Sequence, residues 1–596
     1  MNEGKTNDEK GRNKEMKKDM KKFIFLFAAF MLVMWGVKAQ AAFKWNADAS
    51  QTFTARAHYD LSNDHNNPTA TRGDILASVG QGSGEWEHFF STLLGINGTW
   101  ELVKDTSFNF RVASQFDWLG ANTSGPLQSS TPGDSNGANN PFGGTNPFSL
   151  WINQIHLDFM DFAGFPVNFK LGRQNIWLGK GFVLGNRLFG AGPTIYAGGM
   201  APTGSFNLSP NGQAGAANYG NLPLNSIAGG SLNAPETSDY TGFDAAVANV
   251  HLLNNKLNFD FGYVLVSSAL TESAAGANNG GAGTTNNRRD IGANDNETLW
   301  FLNAGYKEKT WNTEAYVLFN HDKEPLGDRN VNTTAHISSD QIITYGTRGD
   351  FDWGQDLWWF KHVNTFAEFA LQMGRLGSQE TVAQVGRKRN AMAFNMGSDF
   401  HFSTSYSPSF GLEGVYFSGQ DPTSIQRTNA NGAGSAPATL VAPNNRWTAW
   451  DPQFRGRFFT KIMDFIDDVY LSDTTNKTGS ATSTDTTGRV DAGFTNRLMI
   501  LARTGFEPMK KTSFGLTYAY AIAAKAPQAG AQKAMGQEID WDLGYQLSNV
   551  TSWFFDGGFF LPGSYYTMLS SIAGGSDAKG KSNAMLFRTG FKLNLG

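Results

Sequence analysis

Six arginines and three carboxylates carry the chemistry most readily assigned in this chain: Arg56, Arg111, Arg173, Arg348, Arg503 and Arg588, with Glu368, Asp540 and Asp542. A guanidinium presents its donors in a flat fork that fits a carboxylate or phosphate two bonds at a time. Two roles follow. Each arginine either braces a wall by pairing with a neighbouring acid, or offers its fork to an anion that passes. Acids of opposite sign among the nine point to a weakly selective route for polar solutes rather than a duct reserved for polyanions.

These residues share a setting in which apolar and polar side chains alternate with period two. Near the C-terminus Met585, Phe587, Thr589, Phe591, Leu593 and Leu595 take one face, and Leu586, Arg588, Gly590, Lys592 and Asn594 the other. The same pattern places Phe43, Trp45, Ala47, Ala49 and Phe53 opposite Lys44, Asn46, Asp48, Arg56 and His58. Such alternation predicts strands that are apolar on one side only. Strands of about ten residues with this pattern are the unit of a transmembrane β-barrel. An Arg or Lys on the lipid face at mid-membrane costs about 2–4 kcal/mol, so the apolar face is assigned to lipid and the nine charged residues to the interior.

Turn chemistry divides the chain into strands joined alternately by short and long connections. Short ones are expected at 103–106, 161–165, 252–255, 307–310, 351–356, 402–408, 507–511 and 548–551; long ones, rich in Gly, Asn, Ser, Thr and Pro, near 61–83, 119–150, 178–240, 267–296, 321–340, 375–389, 419–495, 525–536 and 563–583. Eight short turns and nine long loops join eighteen strands. Strict alternation of loop length is the rule of outer-membrane barrels, with short periplasmic turns and long external loops. The expected fold is therefore all-β: one closed antiparallel barrel of about eighteen strands over residues 42–596, with both termini periplasmic. The loops 178–240 and 419–495 are long enough to fold partly into the mouth and set the bore.

The N-terminus carries Lys17, Lys18, Lys21 and Lys22, then fifteen uncharged residues from Phe23 to Val37, then Ala39-Gln40-Ala41. This is the pattern of a secretory signal peptide over 1–41, and Met16 or Met20 is an alternative start. The apolar run falls short of the ~20 residues that a spanning helix needs, so membrane helices are not expected. The full chain has formal net charge −4, and without the nine basic and five acidic residues of the leader it is near −8, which excludes nucleic acid as a partner. Cysteine is absent, which excludes disulfides and thiolate chemistry. Trp86, Trp100, Trp118, Trp151, Trp177, Trp311, Trp541 and Trp553 are expected in the aromatic girdles at the membrane surfaces.

Local motifs from about Ile155 to Tyr565 follow one another in a familiar order. They are KLGRQNIWLGKGF (Lys170 to Phe182), ITYGTRGD (Ile343 to Asp350), the strand with Glu368, Gln372 and Gly374, PSFGLEGVYFSGQD (Pro408 to Asp421), and GQEIDWDLGYQLSN followed by FFLPGSYY (Gly536 to Tyr566). In this order the chain resembles the alginate-export family of outer-membrane porins. The resemblance implies a monomeric eighteen-stranded barrel that a solute crosses by diffusion. It also implies a lumen whose arginines pair with a polyuronate, the matching positions here being Arg173, Arg348, Glu368 and Asp540.

Three other patterns carry less. Gly575 to Ser582, GSDAKGKS, matches the P-loop pattern, but a strand follows it where a phosphate-binding loop needs a helix. Asp464, Asp467, Asp468 and Asp473 could hold Ca²⁺, yet lack the spacing and glycine of an EF-hand; a short amphipathic helix with a solvated acidic face is the plainer reading. Nine histidines form no H-E-x-x-H or H-x-x-H pair, so no enzyme and no cofactor are expected.

The expected function is an outer-membrane porin for small polar or anionic solutes, a monomer set among outer-membrane lipid and lipopolysaccharide. One alternative is a polysaccharide or uronate channel within a secretion complex. Another is a surface adhesin or receptor with an occluded barrel, suggested by the long loops.

Overall fold

A computed structural model describes residues 43–58, 87–117, 149–185, 243–267, 297–322, 340–357, 359–376, 387–419, 426–428, 439–441, 446–450, 457–465, 496–526, 532–566 and 582–595. The expected signal peptide and most of the long external loops, with the P-loop-like run before Ser582 and Asp467, Asp468 and Asp473, lie outside these residues.

Eighteen strands form the wall: β1 (Phe43–Ala57), β2 (Glu87–Val103), β3 (Thr106–Asp117), β4 (Ser149–Phe159), β5 (Val167–Gln174), β6 (Phe243–Leu252), β7 (Leu257–Ser267), β8 (Glu297–Lys307) and β9 (Trp311–Asp322) make one half. The other half is β10 (Asp340–Leu357), β11 (Phe360–Leu376), β12 (Arg387–Phe402), β13 (Ser409–Phe417), β14 (Arg497–Phe506), β15 (Thr512–Ala523), β16 (Ala534–Gln546), β17 (Thr551–Pro562) and β18 (Ala584–Leu595). Each pairs antiparallel with its neighbours in the chain, and β18 returns to β1 in a register running from Ala47 opposite Leu595 to Ala57 opposite Met585. The sheet closes on itself. A short strand, Arg446–Trp447, joins the rim beside β12.

Alternation decides which way each wall residue points. On β14 Leu498 and Ile500 share the outer face with Ala502 and Thr504, while Arg497, Met499, Leu501 and Arg503 face inward and the first three of these are fully buried. Large apolar side chains stand exposed around the whole outer surface, among them Ile500 at 57%, Trp300 at 53% and Met396 at 51%. A closed barrel belted in this way matches hydrocarbon rather than water, and closure leaves no strand edge unpaired inside it. No helix among the described residues is long and apolar enough to cross a membrane; the crossing is made by strands.

Seven of the eight short turns fall where turn chemistry places them. Left-handed backbone marks several, at Asp105, Asp161, the run Leu253-Asn254-Asn255 and Lys511, and Asp and Asn tolerate that conformation better than most residues. The eighth is a correction. Residues 351–356 do not turn; β10 runs on to Leu357, with a register shift between Asp352 and Gln355. Gly354 adopts φ 88°, and its N–H donates to the Asp352 carboxylate at 2.9 Å, so the polar cluster makes a bulge. At the turn joining β8 to β9, Lys256 and Tyr306 donate to Glu308 at 2.8 and 2.7 Å, and these bonds hold its carboxyl below the usual carboxylate range.

Trp100, Trp311 and Trp353 are exposed on the outer face near the periplasmic rim, as a girdle requires. Trp177 is not a girdle residue, for reasons given below. Trp86 and Trp118 lie outside the described residues.

The two faces make opposite demands on charge. Ile500→Arg is expected to destabilise the barrel by about 2–4 kcal/mol, whereas Asn46→Arg, on the inner face of β1 and exposed to the lower lumen, changes stability far less. Equilibrium urea unfolding from phospholipid vesicles measures both; equal effects would contradict the assignment of faces.

Candidate functional site

The lumen is narrowed by two pieces of external loop that fold inward. The first, residues 175–185, leaves the end of β5, turns through a 3-10 helix at Gly179–Gly181, and closes a bridge between Leu178 and Leu184. Ile176, Leu178, Phe182, Val183 and Leu184 bury themselves against inward-facing Val264, Leu299, Leu318 and Phe417. Phe182 and Phe417 stack with ring centroids 5.2 Å apart. Gly179 lies so close to Glu368 that a Cβ there would overlap the carboxylate. The second piece, described over 446–450 and 457–465, ends in one helical turn at Met463–Phe465. Its Trp450, Phe459, Ile462 and Met463 join the same buried cluster.

Acidic residues of the inner wall hold these segments. Glu538 accepts the backbone N–H groups of Lys461, Ile462 and Met463 at 2.9, 2.7 and 2.7 Å, and Asp540 also accepts from Lys461 N–H at 3.2 Å. The Lys461 ammonium donates to Asp542 at 2.6 Å and to the carbonyl of Trp541 at 2.8 Å. Glu413 takes Arg503, Asn395 at 2.5 Å and Arg457 at 2.9 Å. Arg348 forks onto Asp350 with two bonds of 2.8 Å and reaches Glu368 at 3.0 Å, while Lys180 of the first segment meets Asp350 at 2.7 Å and Tyr316 donates to Glu368 at 2.5 Å. Buried carboxylates are tolerated because several donors converge on each.

The lower lumen is more open and is braced in the same manner. Arg111 forks onto Asp48 at 2.5 and 2.9 Å, and Arg588 onto Asp556 at 2.7 and 3.2 Å.

The structure thus places Arg56, Arg111, Arg348, Glu368, Arg503, Asp540, Asp542 and Arg588 on the inner face, with Arg348 beside Glu368 and Asp540 beside Asp542 near Lys461. Arg173 is a correction. Its register puts it opposite Ile155 and Asp244, on the face of exposed Leu171, and it pairs there with Asp244 at 2.9 and 3.1 Å. The reason is local. Gln174, not Arg173, takes the inward position at this level, its side-chain amide donating to the carbonyls of Lys170 and Ala245, both at 3.1 Å. A bidentate acid partner keeps the guanidinium of Arg173 compensated near the end of the strand. Trp177 likewise belongs to the inward segment rather than to the outer girdle. Asp464 is not a solvated acidic face: it is buried, accepts the N–H of Phe459 and pairs with Arg497, both at 2.6 Å.

Alternation alone would have located Glu413 and Glu538, which sit on the polar side of Gly411-Glu413 and Glu538-Asp540. Arg457 and Lys461 carry no such signal, because they belong to a loop. The inward core does leave a trace: the runs Leu299-Trp300-Phe301-Leu302 and Leu498-Met499-Ile500-Leu501 are apolar on both faces, as a strand covered on both sides must be.

No family model matches the chain, and no curated protein matches it. Among solved structures it is similar to Pseudomonas aeruginosa OccK11 (OpdR), at 9% identity over 92% of this chain and 96% of that one, TM-score 0.41. Acinetobacter baumannii OccAB1 matches at 10% identity over 93% and 97%, TM-score 0.42, and Pseudomonas putida OprB, in its high-pH structure, at 9% over 93% and 94%, TM-score 0.36. The barrel itself follows from the strand pairing.

Hydrogen bonds to a charged acceptor contribute about 1.5–3 kcal/mol each, so Glu538→Ala is expected to release residues 461–463 from the wall. Limited trypsinolysis of the folded barrel should then cut at Lys461, with Glu538→Gln intermediate and the wild type resistant. Equal resistance in all three would show that Glu538 does not hold the segment.

Proposed function

We propose that this chain is an outer-membrane porin through which small polar or anionic solutes diffuse passively. The observation that carries the reading is the lumen itself: a closed wall whose inner face bears paired charges of both signs, narrowed by two loop segments that are fastened to it. Mixed, mutually compensated charge gives a route for polar solutes with weak ionic preference. The arginines favour bracing over capture of a polyuronate, since Arg111, Arg348, Arg503 and Arg588 each meet an acid of the wall. No step of this function calls for a cofactor or for energy input.

The whole lumen belongs to one chain, which supports a monomer as the working unit. Outer-leaflet lipopolysaccharide is the proposed neighbour of the external rim. There Arg375 and Lys388 stand directly opposite each other on β11 and β12, exposed and on the lipid side, where a phosphate would relieve their repulsion.

Purified protein reconstituted in planar bilayers is expected to give steady ohmic channels of weak ion selectivity. Arg503→Glu is expected to move the reversal potential in a salt gradient toward cation preference. Glu538→Ala should raise conductance or make it noisy, because the second segment then leaves the bore. A barrel with no conductance at all would overturn the porin reading and favour a receptor or adhesin.

A further inference from the structure

A cavity of about 340 Å³ lies in the lumen between residues 174–178 and the inner faces of β4 to β8, apart from the ion pairs that fasten the loops. Its lining includes Trp177, Asp158, Lys170, Asn168, Asn249 and Asp260. Strand register explains the arrangement. Asn168, Asn249, Asp260 and Asn303 stand side by side on β5, β6, β7 and β8, forming a row of amides and carboxylate at one level of the wall. At the next level Phe301 lays its ring over Gly262, where any Cβ would collide with it, so an apolar surface adjoins the polar row.

The polar groups are fixed in place. Asp260 accepts from Asn249 on one oxygen and from Asn303 on the other, the latter at 3.1 Å. Asp158 is held by Asn109 at 3.0 Å and by His156 at 2.9 Å. The Lys170 ammonium makes no hydrogen bond or ion pair among the described residues. Trp177 is 45% exposed although it sits inside the barrel.

We infer that this cavity is a subsite for one ring of a neutral sugar. Vicinal hydroxyls donate in pairs to a carboxylate and accept from amides or an ammonium, and Asp260, Asp158, Asn168, Asn249 and Lys170 provide both kinds of partner. The weakly polar C–H face of a pyranose rests on an aromatic ring, which Trp177 offers at the edge of the polar row. An anionic solute would meet two carboxylates for one ammonium, so the site discriminates against it. The volume falls at the lower end of small-molecule pockets, which span about 300–1,000 Å³, and suits a single ring. A weak site inside a diffusion pore raises flux at low solute concentration, provided the solute also leaves readily.

The inference rests on the porin reading and is tested so that the two can fail separately. In planar bilayers maltotriose is expected to reduce the ion current saturably. Trp177→Ala should raise the half-blocking concentration about tenfold, the order of one lost aromatic contact. Trp177→Phe should retain part of the block, and Asp260→Asn should weaken it. Glucuronate should give no saturable block. A block that fails to saturate, that survives Trp177→Ala and Asp260→Asn unchanged, or that glucuronate matches would overturn the sugar site while leaving the pore. Isothermal titration of the detergent-solubilised barrel with maltotriose reads the site without conductance. Saturable heat lost in Trp177→Ala supports the site even in a silent channel, and its absence from wild type overturns it.

Discussion

A backbone in hydrocarbon must satisfy every N–H and C=O from within, and the remaining features of this molecule descend from that demand. Eighteen strands meet it by pairing each with its neighbours and β18 with β1. Once the sheet closes, the period-two alternation of a strand splits every segment into a lipid face and an enclosed one. Apolar side chains take the first because a charge at mid-membrane is costly. The second is then free to carry charge, and charge that is enclosed needs partners.

The partners come from two sources. Along the wall, acids and arginines on neighbouring strands meet directly, as in Arg111 with Asp48 and Arg588 with Asp556. Higher up, the wall acids recruit loop segments instead. Glu538 collects three successive amides, and Asp350 and Glu413 collect Lys180 and Arg457. Apolar contacts complete the attachment, since inward Val264, Leu299, Phe417 and Met499 would otherwise line a watery channel. Electrostatics thus position the segments and burial keeps them there. The bore is a consequence of loop docking as much as of strand number.

The wall was legible in the sequence because its physics is local: a strand shows its two faces within about ten residues, and Asp, Asn and Gly mark its turns. Where local patterning misled, another constraint had taken over. At 351–356 the polar cluster reads as a turn but folds as a bulge inside β10. Arg173 reads as lumenal because it is charged, whereas the register gives the inward place to Gln174 and leaves Arg173 outside with Asp244. Asp464 reads as one of a solvated acidic group, but a distant arginine, Arg497, draws it into the interior. The docking of 175–185 and 457–465 rests on partners far away in the chain, which composition and period do not encode. Only the doubly apolar runs in β8 and β14 announce that something covers the inner wall.

The barrel depends on the division of each strand between lipid and lumen, and a chain without cysteine allows that division to be read residue by residue. Single cysteines placed in turn from Lys44 to Ser50 of β1, in protein reconstituted in vesicles, would be reacted with a water-soluble, membrane-impermeant maleimide. The result expected is a sawtooth, with positions 44, 46, 48 and 50 modified through the open lower lumen and 45, 47 and 49 shielded by lipid. Uniform modification, or a sawtooth of the opposite phase, would contradict the barrel and everything built on its inner face.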